Sequence, residues 1–583
     1  MAEVSAIDQP QAVHQAWGDT LSRRRIGFVL ASVMLGMLLS ALDQTVVGTA
    51  MPRIIADLNG LEHYAWVATA YLLASTASMP IWGKLSDAYG RKRFFMIGMV
   101  VFLTGSMLCG QSHSMTELIL FRAFQGIGAG AMMPITQAII GDIFPPTQRA
   151  KWAGVLMSVF ALATIVGPLL GGWITDSSLG WRWTFYVNAP VGVLALAFAA
   201  VALPGHMSVR KHRIDYAGSA LLVAAAVPLL LGLSWGGNTY PWQSWQIIGL
   251  FAFSVVMWVA FYFRERGAAE PVINPRLFEN SIFTVSAVAG ALQMAAMFGA
   301  IMFLPLFVQG VLGKSATNSG IILMPLMLGA ILSSITSGQI LARTGKYKVV
   351  VIVGYLLSTA GAYLLSRMSV DTTWTTLTRD MVVMGLGMGV GMSAFTVIVQ
   401  NQYPSQRLGE VSAGLQFFRS IGGTVGMAVF GTVLNNQFAA AMKTNLPPAL
   451  QDYKGAEALN NPQVLLSEAA SQQIHDAFSK LGDQGEALFT AFMQAVRLSL
   501  DSAIGELFLI ASVIGVIGLI VVLFLREDPL RTSHLTFEQE EMLAAEAEAG
   551  ATGGFTPEGS VGDGGQDPAI CCGPDEESQP SPQ

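Results

Sequence analysis

Asp43 stands inside a run of apolar residues, "FVLASVMLGMLLSALDQTVVGTAMP", with no basic residue near it in the chain. A carboxylate at that depth in a bilayer costs about 2.5–3.5 kcal/mol on insertion scales, so it marks a functional position by default. Desolvation favours the neutral form of an acid so placed, which suits proton uptake and release at working pH. A plainer role is an acid hydrogen-bonded near the outer membrane interface. A second apolar run carries Arg122, Gln125, Gly126 and Gly130 at i, i+3, i+4 and i+8, so all four share one helical face. The glycine pair admits a neighbouring helix, and the two polar side chains face the same seam or cavity. Arginine does not release a proton in water-like pH ranges, so Arg122 can only bias a carboxylate, unless it snorkels to the outer headgroups.

A third group is the loop "GKLSDAYGRKR", residues 83–93. Asp87 lies four residues before Arg91 and close to Arg93, where it can pair with these bases or accept from the N-terminus of an adjacent helix. Gly83 and Gly90 permit close helix approach and a tight turn. Bases here would equally mark one side of a membrane with no further role.

These residues need membrane-spanning helices to hold them. The chain has 583 residues, 52% of them hydrophobic and 12% charged; a soluble protein carries about twice that charge. Apolar runs long enough to cross a ~30 Å hydrocarbon core fall near 26–48, 64–82, 94–112, 117–140, 152–175, 184–203 and 215–234. They continue near 243–263, 282–311, 317–341, 348–366, 376–400, 411–433 and 503–525. Fourteen spans make an all-α polytopic membrane protein. The first run is too long for a cleaved signal and lacks a clear small-residue cleavage site.

Lys and Arg set the orientation. One set of loops carries 21 bases, among them Arg23 to Arg25, Lys84, Arg91 to Arg93, Arg149, Arg264, Arg343 and Arg407; the other short loops carry four, Arg53, Arg182, Lys314 and Arg367. Both termini are therefore expected in the cytoplasm. From Arg526 onward thirteen acids face two arginines, a balance of −11 within a chain of net charge −6. This tail is expected to be disordered.

The loop at 83 has an echo, "GQILARTGKYK" at 338, and "PTQR" ending at Arg149 is echoed by "PSQR" ending at Arg407. Arg122 lies 39 residues after Gly83 and 27 before Arg149; Arg379 lies 41 after Gly338 and 28 before Arg407. Two homologous six-helix halves follow: 26–203 and 281–525, after a cytoplasmic N-terminus 1–25. Two linker helices with their loops occupy 204–280, a long extracytoplasmic loop 434–502, and the acidic tail 526–583. Parallel halves place a substrate site at their interface. The second copy has Ala342 at the position of Asp87, so a latch at that place would be one-sided.

In this order the motifs resemble those of the major facilitator superfamily, in its fourteen-helix drug:proton antiporter group. The 83–93 loop is similar to the signature between helices 2 and 3. "LILFRAFQGIGAGAMMP" (118–134) resembles the arginine-bearing helix 4 motif, and "ATIVGPLLGG" (163–172) the helix 5 antiporter motif. "LDQTVVGTAMP" (42–52) and "WRWTFYVNAPVG" (181–192) resemble the helix 1 motif and the approach to helix 6. The resemblance implies a role in proton coupling for Asp43 and Arg122. It implies a conformational latch at Gly83, Asp87, Gly90, Arg91 and Arg93, and a pliable seal between the halves at Gly167, Pro168, Gly171 and Gly172. It further implies a multidrug efflux permease of the inner or plasma membrane, driven by the proton gradient and using no cofactor or metal.

For the substrate cavity, Trp66, Tyr71, Phe124, Gln125, Gln293, Met294 and Phe298 are candidates, because large polarizable side chains suit apolar ligands and aromatics suit cations. Lipophilic, cationic compounds are the expected substrates, with protons and the bilayer as the other partners. In the second half "FFRSIGGTVG" (417–426) adds a base, Arg419, whose partner the sequence does not name. No Walker loop, metal-ligand set or nucleophile–base pair appears, so ATP-driven transport, a membrane-embedded enzyme and nucleic-acid binding have no support. A dedicated exporter of one metabolite, antibiotic or lipid remains the alternative. A monomer is expected, since one chain holds both halves.

Overall fold

A computed structural model describes residues 21–531, apart from 59–63, 206–214, 238, 269, 313–321, 405–406, 447–474, 477 and 479–482. The acidic tail beyond Arg531 and most of the N-terminal segment therefore lie outside the described residues. In chain order the long helices are α1 (Arg23–Leu58), α2 (Tyr64–Tyr89), α3 (Arg91–Gly110), α4 (Met115–Ile143), α5 (Pro146–Asp176), α6 (Asn188–Ala202) and α7 (Tyr216–Trp235). They continue as α8 (Trp245–Gly267), α9 (Ser281–Gly310), α10 (Met324–Thr344), α11 (Lys348–Leu365), α12 (Trp374–Asn401), α13 (Leu408–Asn445) and α14 (Asp483–Leu523).

Thirteen of the helices among the described residues are long and apolar enough to cross a membrane, counting the one-turn helix Trp183–Tyr186 together with α6. The fourteenth segment expected to span is α2, made less apolar by Ser75, Thr76 and Ser78. All three are buried against neighbouring helices. The segment read as a long loop, 434–502, is helical at both ends: α13 continues to Asn445 and α14 begins at Asp483.

Helix ends follow local chemistry. Ser114 caps α4 by accepting from the Glu117 N–H at 3.2 Å, while Glu117 reaches back to the His113 N–H at 2.9 Å, satisfying two end donors reciprocally. Asn280, Thr373 and Asp215 cap α9, α12 and α7 by accepting from first-turn N–H groups. Gly90, at φ 102°, makes the turn between α2 and α3, a backbone region costly for any residue with a side chain.

Helices α1 to α6 pack on one another, as do α9 to α14; α7 and α8 pair with each other and lean on α2 through α7. The outer face of α8 is apolar and uncovered, with Phe253, Val256, Val259 and Phe263 all at least half exposed, as a lipid-facing surface requires. Between the two groups, α2 and α4 meet α13, and α5 meets α10 and α12.

Helix association in lipid has little hydrophobic drive and depends on close backbone approach. The structure supplies this twice, at equivalent places in the repeat. On α4, a Cβ at Gly126 would strike the Tyr71 carbonyl of α2, and one at Gly128 would strike Phe102 and Gly98 of α3. On α12, a Cβ at Gly385 would strike Leu326 of α10, and one at Gly387 would strike Ser358 and Gly354 of α11. Each middle helix is thus wedged between two neighbours along a glycine ridge.

After α14, residues 526–531 lie along the basic end of the second group. Glu527 accepts from the Tyr347 and Lys348 N–H groups at the start of α11, and Asn401 at the end of α12 holds the Pro529 carbonyl and the Arg531 N–H.

Gly128→Val and Gly387→Val should each lower the unfolding temperature of the detergent-purified protein, by overpacking worth about 1–3 kcal/mol. Gly172, which has open space around it, should accept alanine with no change. Equal melting of all three would refute the ridge packing.

Candidate functional site

Asp43 and Arg122, 79 residues apart, meet inside the first group of helices. Arg122 Nη1 donates to Asp43 Oδ2 at 2.5 Å, and both side chains are almost wholly buried. The other carboxylate oxygen accepts from Gln125 Nε2 at 2.8 Å and from Asn188 Nδ2 at 3.1 Å. Arg122 also donates to Gln125 Oε1 at 2.8 Å and to the Val67 carbonyl at 3.4 Å. Its guanidinium lies 4.2 Å from the centre of the Tyr71 ring, a favourable cation–π placement. Asn188 is itself fixed by Ser106 Oγ at 3.0 Å.

The local folding is what brings these groups together. The i, i+3 spacing on α4 puts Gln125 beside Arg122. Asn188 follows directly on the Trp183–Tyr186 turn as the first residue of α6, and its amide donates to Asp43. Asn188 lies within "WRWTFYVNAPVG", where an amide inside an apolar run is its local signal.

A buried pair of this kind gains little net stability, because desolvation offsets the attraction, but removing one partner leaves an uncompensated charge. One proton added to Asp43 would change the net charge of this enclosed site by one and leave Arg122 without its counter-charge. The charge state of Asp43 therefore bears directly on the contact between α1 and α4.

A second polar cluster closes the basic end between the two groups of helices. Asp87, at the end of α2, pairs with Arg91 and accepts from two backbone N–H groups in the first turn of α13, Gly409 at 2.9 Å and Glu410 at 2.6 Å. The carboxylate thus sits at the positive end of the α13 dipole. Arg91 donates further to Asp142 at 2.9 Å and to Ser86 Oγ at 2.9 Å. A Cβ at Gly83 would collide with Gly409 and Ala413, so that glycine lets α2 and α13 touch. Arg93 is exposed and stands outside the cluster's ion pairs among the described residues.

Glu410 is an acid that the sequence reading did not select. It meets Lys84 at 3.8 Å and Arg407 at 3.4 Å, and accepts from the Asn274 N–H at 3.2 Å. The stretch leading from α8 to α9 is thereby tied to the same cluster. The echoing arginine Arg379 behaves unlike Arg122: it is mostly exposed and pairs with its neighbour Asp380 at 2.8 Å.

In the helix 5 motif, a Cβ at Gly167 would collide with Thr45 of α1, whereas Gly172 has open space and Gly171 is buried, its carbonyl accepting from Thr175 at 2.6 Å. Pro168 lies within α5, with its side chain outside the described residues. The candidate cavity residues scatter. Trp66 packs edge-on against Trp235 of α7 at 5.1 Å, Phe124 is exposed on α4, and Tyr71 and Gln125 belong to the ion-pair site. Gln293 is buried and donates to the Gly387 and Met388 carbonyls. Met294 and Phe298 pack in the core of the second group. Two small cavities do lie where the groups meet. One is lined by Met37, Thr136, Gln137, Met392 and Thr396, and the other by Phe160, Met297, Met327, Met388 and Met392.

Long apolar helices in two packed sixes, joined by a charged clamp at one end, define a multi-pass membrane protein. Residues 33–427 match the Major Facilitator Superfamily, and the chain belongs to that family. It is 40% identical over 534 residues to "Multidrug transporter protein MdtP" of Bacillus subtilis (strain 168), covering 89% of this chain and 96% of that one. It is 38% identical over 512 residues to "Multidrug resistance protein 3" of the same organism, covering 87% and 96%. Among solved structures, the proton:xylose symporter XylE bound to 6-bromo-6-deoxy-D-glucose shares the fold. Its TM-score is 0.53 at 14% identity, over 90% of this chain and 100% of that one.

Two outcomes follow from the two clusters. Arg122→Gln should destabilise the purified protein by about 3–5 kcal/mol, and adding Asp43→Asn should restore most of the loss; a double variant no more stable than the single would contradict the pairing. Asp87→Ala should shift the basic end toward open forms by about tenfold or more, since it removes charged hydrogen bonds. Spin labels at the exposed positions Arg93 and Arg343, in a form with Cys571 and Cys572 replaced, would show a longer-distance population; an unchanged distribution would count against the clamp.

Proposed function

We propose that this chain is a proton-coupled antiporter that exports lipophilic compounds by alternating access. The observation that carries the reading is the enclosed Asp43–Arg122 pair with its amide donors: an ionisable carboxylate facing a fixed cation in a transporter fold. Relatives named as multidrug transporters support the substrate class. By the excess of Lys and Arg, the basic end is cytoplasmic, and so are both termini of a chain in the cell membrane.

In this cycle the clamp at Asp87 holds the cytoplasmic end shut while the compound leaves on the other side. Protonation of Asp43 from outside loosens Arg122 and the α1–α4 contact, favouring release. Loss of the proton toward the cytoplasm restores the pair and the affinity for a new compound. The cavities where the groups meet have room for little more than a few waters, so a drug-sized compound needs the halves to separate. Their methionine-rich walls suit ligands of varied shape. A preference for cations has lost the aromatic side chains that suggested it, since Trp66, Tyr71 and Phe124 are engaged or turned elsewhere.

The test is proton release from inverted vesicles on adding ethidium, Nile red or 1-naphthaleneacetic acid, a cation, a neutral dye and an acid. At least one should discharge the gradient with the parent, and Asp43→Asn should lower that rate about tenfold or more, the scale of one lost ionic interaction. No discharge by any of the three would overturn the antiporter reading; equal rates in parent and variant would remove Asp43 from the proton path.

A further inference from the structure

Arg419 is the one buried arginine of α13, 4% exposed and deep in the helix. Unlike Arg122, it meets no acid among the described residues. Nη1 donates to Thr396 Oγ1 at 3.3 Å and Nη2 to the Gly391 carbonyl at 3.2 Å, both neutral oxygens of α12. Gly290 on α9 leaves the space that the guanidinium fills, since a Cβ there would lie 3.0 Å from Arg419 Nε. A guanidinium offers five donors, and two long contacts to neutral groups compensate little of its charge.

A polar group across the neighbouring cavity is also unsatisfied. Thr396 lines the cavity where the two groups of helices meet, so the guanidinium is one hydroxyl away from that space. Across the cavity, Thr136 Oγ1 is buried with no partner among the described residues, and Gln137 lies beside it. No acidic side chain lines either cavity. Asp43 and Arg122 balance each other inside the first group, whereas Arg419 stands beside the space between the groups with no acid partner among the described residues.

We propose that Arg419 is the counter-charge for an acidic group on the transported compound, so that the site between the halves takes lipophilic organic anions such as aryl carboxylates and sulfonates. The apolar body packs against the methionine walls of the cavities, and the acidic group replaces Thr396 as the partner of the guanidinium. A monovalent organic cation gains the same apolar contacts but is repelled by Arg419. This rests on the space between the halves being the substrate route, and it sets the charge of the substrate, which the reading above leaves open.

A charge-matched pair of probes tests it: tritiated 1-naphthaleneacetic acid and its neutral amide, in equilibrium binding to the full purified chain. The parent should bind the acid at least about tenfold more tightly than the amide, as expected of a desolvated charge-assisted hydrogen bond. Arg419→Gln should erase that preference while still binding the amide, which shows that the variant is folded; Arg419→Lys should retain part of it. A parent without preference, including one that binds neither probe, would overturn the proposal, as would a preference that survives Arg419→Gln. Binding needs no proton gradient, so this result is independent of whether Asp43 couples transport to protons.

Discussion

The pairing of Asp43 with Arg122 fixes how α1, α4 and the start of α6 meet, because neither charge can be left alone in a low-dielectric interior. Every other contact of the site serves that pair: the Gln125 and Asn188 amides fill one carboxylate oxygen, and Tyr71 covers the guanidinium. The chain handles its buried charges in three distinct ways. Asp43 is matched by an opposite charge, Asp87 by an opposite charge together with the end of a helix, and Arg419 by neutral oxygens alone. The third is the costliest arrangement, and it lies beside the space between the halves.

The two halves share a scaffold and differ in chemistry. The glycine ridges of α4 and α12 recur at matching places, since backbone-to-backbone packing imposes the same demand on each half. The charges do not recur. Arg122 is buried and paired across helices, whereas Arg379 pairs with its own neighbour at the surface. The clamp binds α13 through Asp87, and the equivalent position in the second half is Ala342. Repetition thus supplies the frame, and departures from it supply direction.

Much of this was legible in the sequence. Fourteen apolar runs, the repeat and the isolated Asp43 are local features, visible without knowing which helices touch. The i, i+3 spacing placed Arg122 and Gln125 on one face. What could not be read was pairing over distance: that Asp43 meets Arg122, or that the clamp recruits Glu410 and Asn274. Facing was also hidden. Phe124 and Arg93 sit in the right motifs but on outward surfaces, because in lipid both faces of a helix are apolar and periodicity carries little information. The segment 434–502 read as a loop because its polar residues hid helical extensions beyond the apolar core of α13 and α14.

The short stretch after α14 carries a mechanical consequence. Residues 526–531 are fastened to the start of α11 and the end of α12, all within the second half. If the halves rock, residues 526–531 are carried as a passenger of the second half, with no slack against it. A fluorophore placed on this stretch would swing through the full arc of that half relative to one placed on α3, turning the stretch into a pointer.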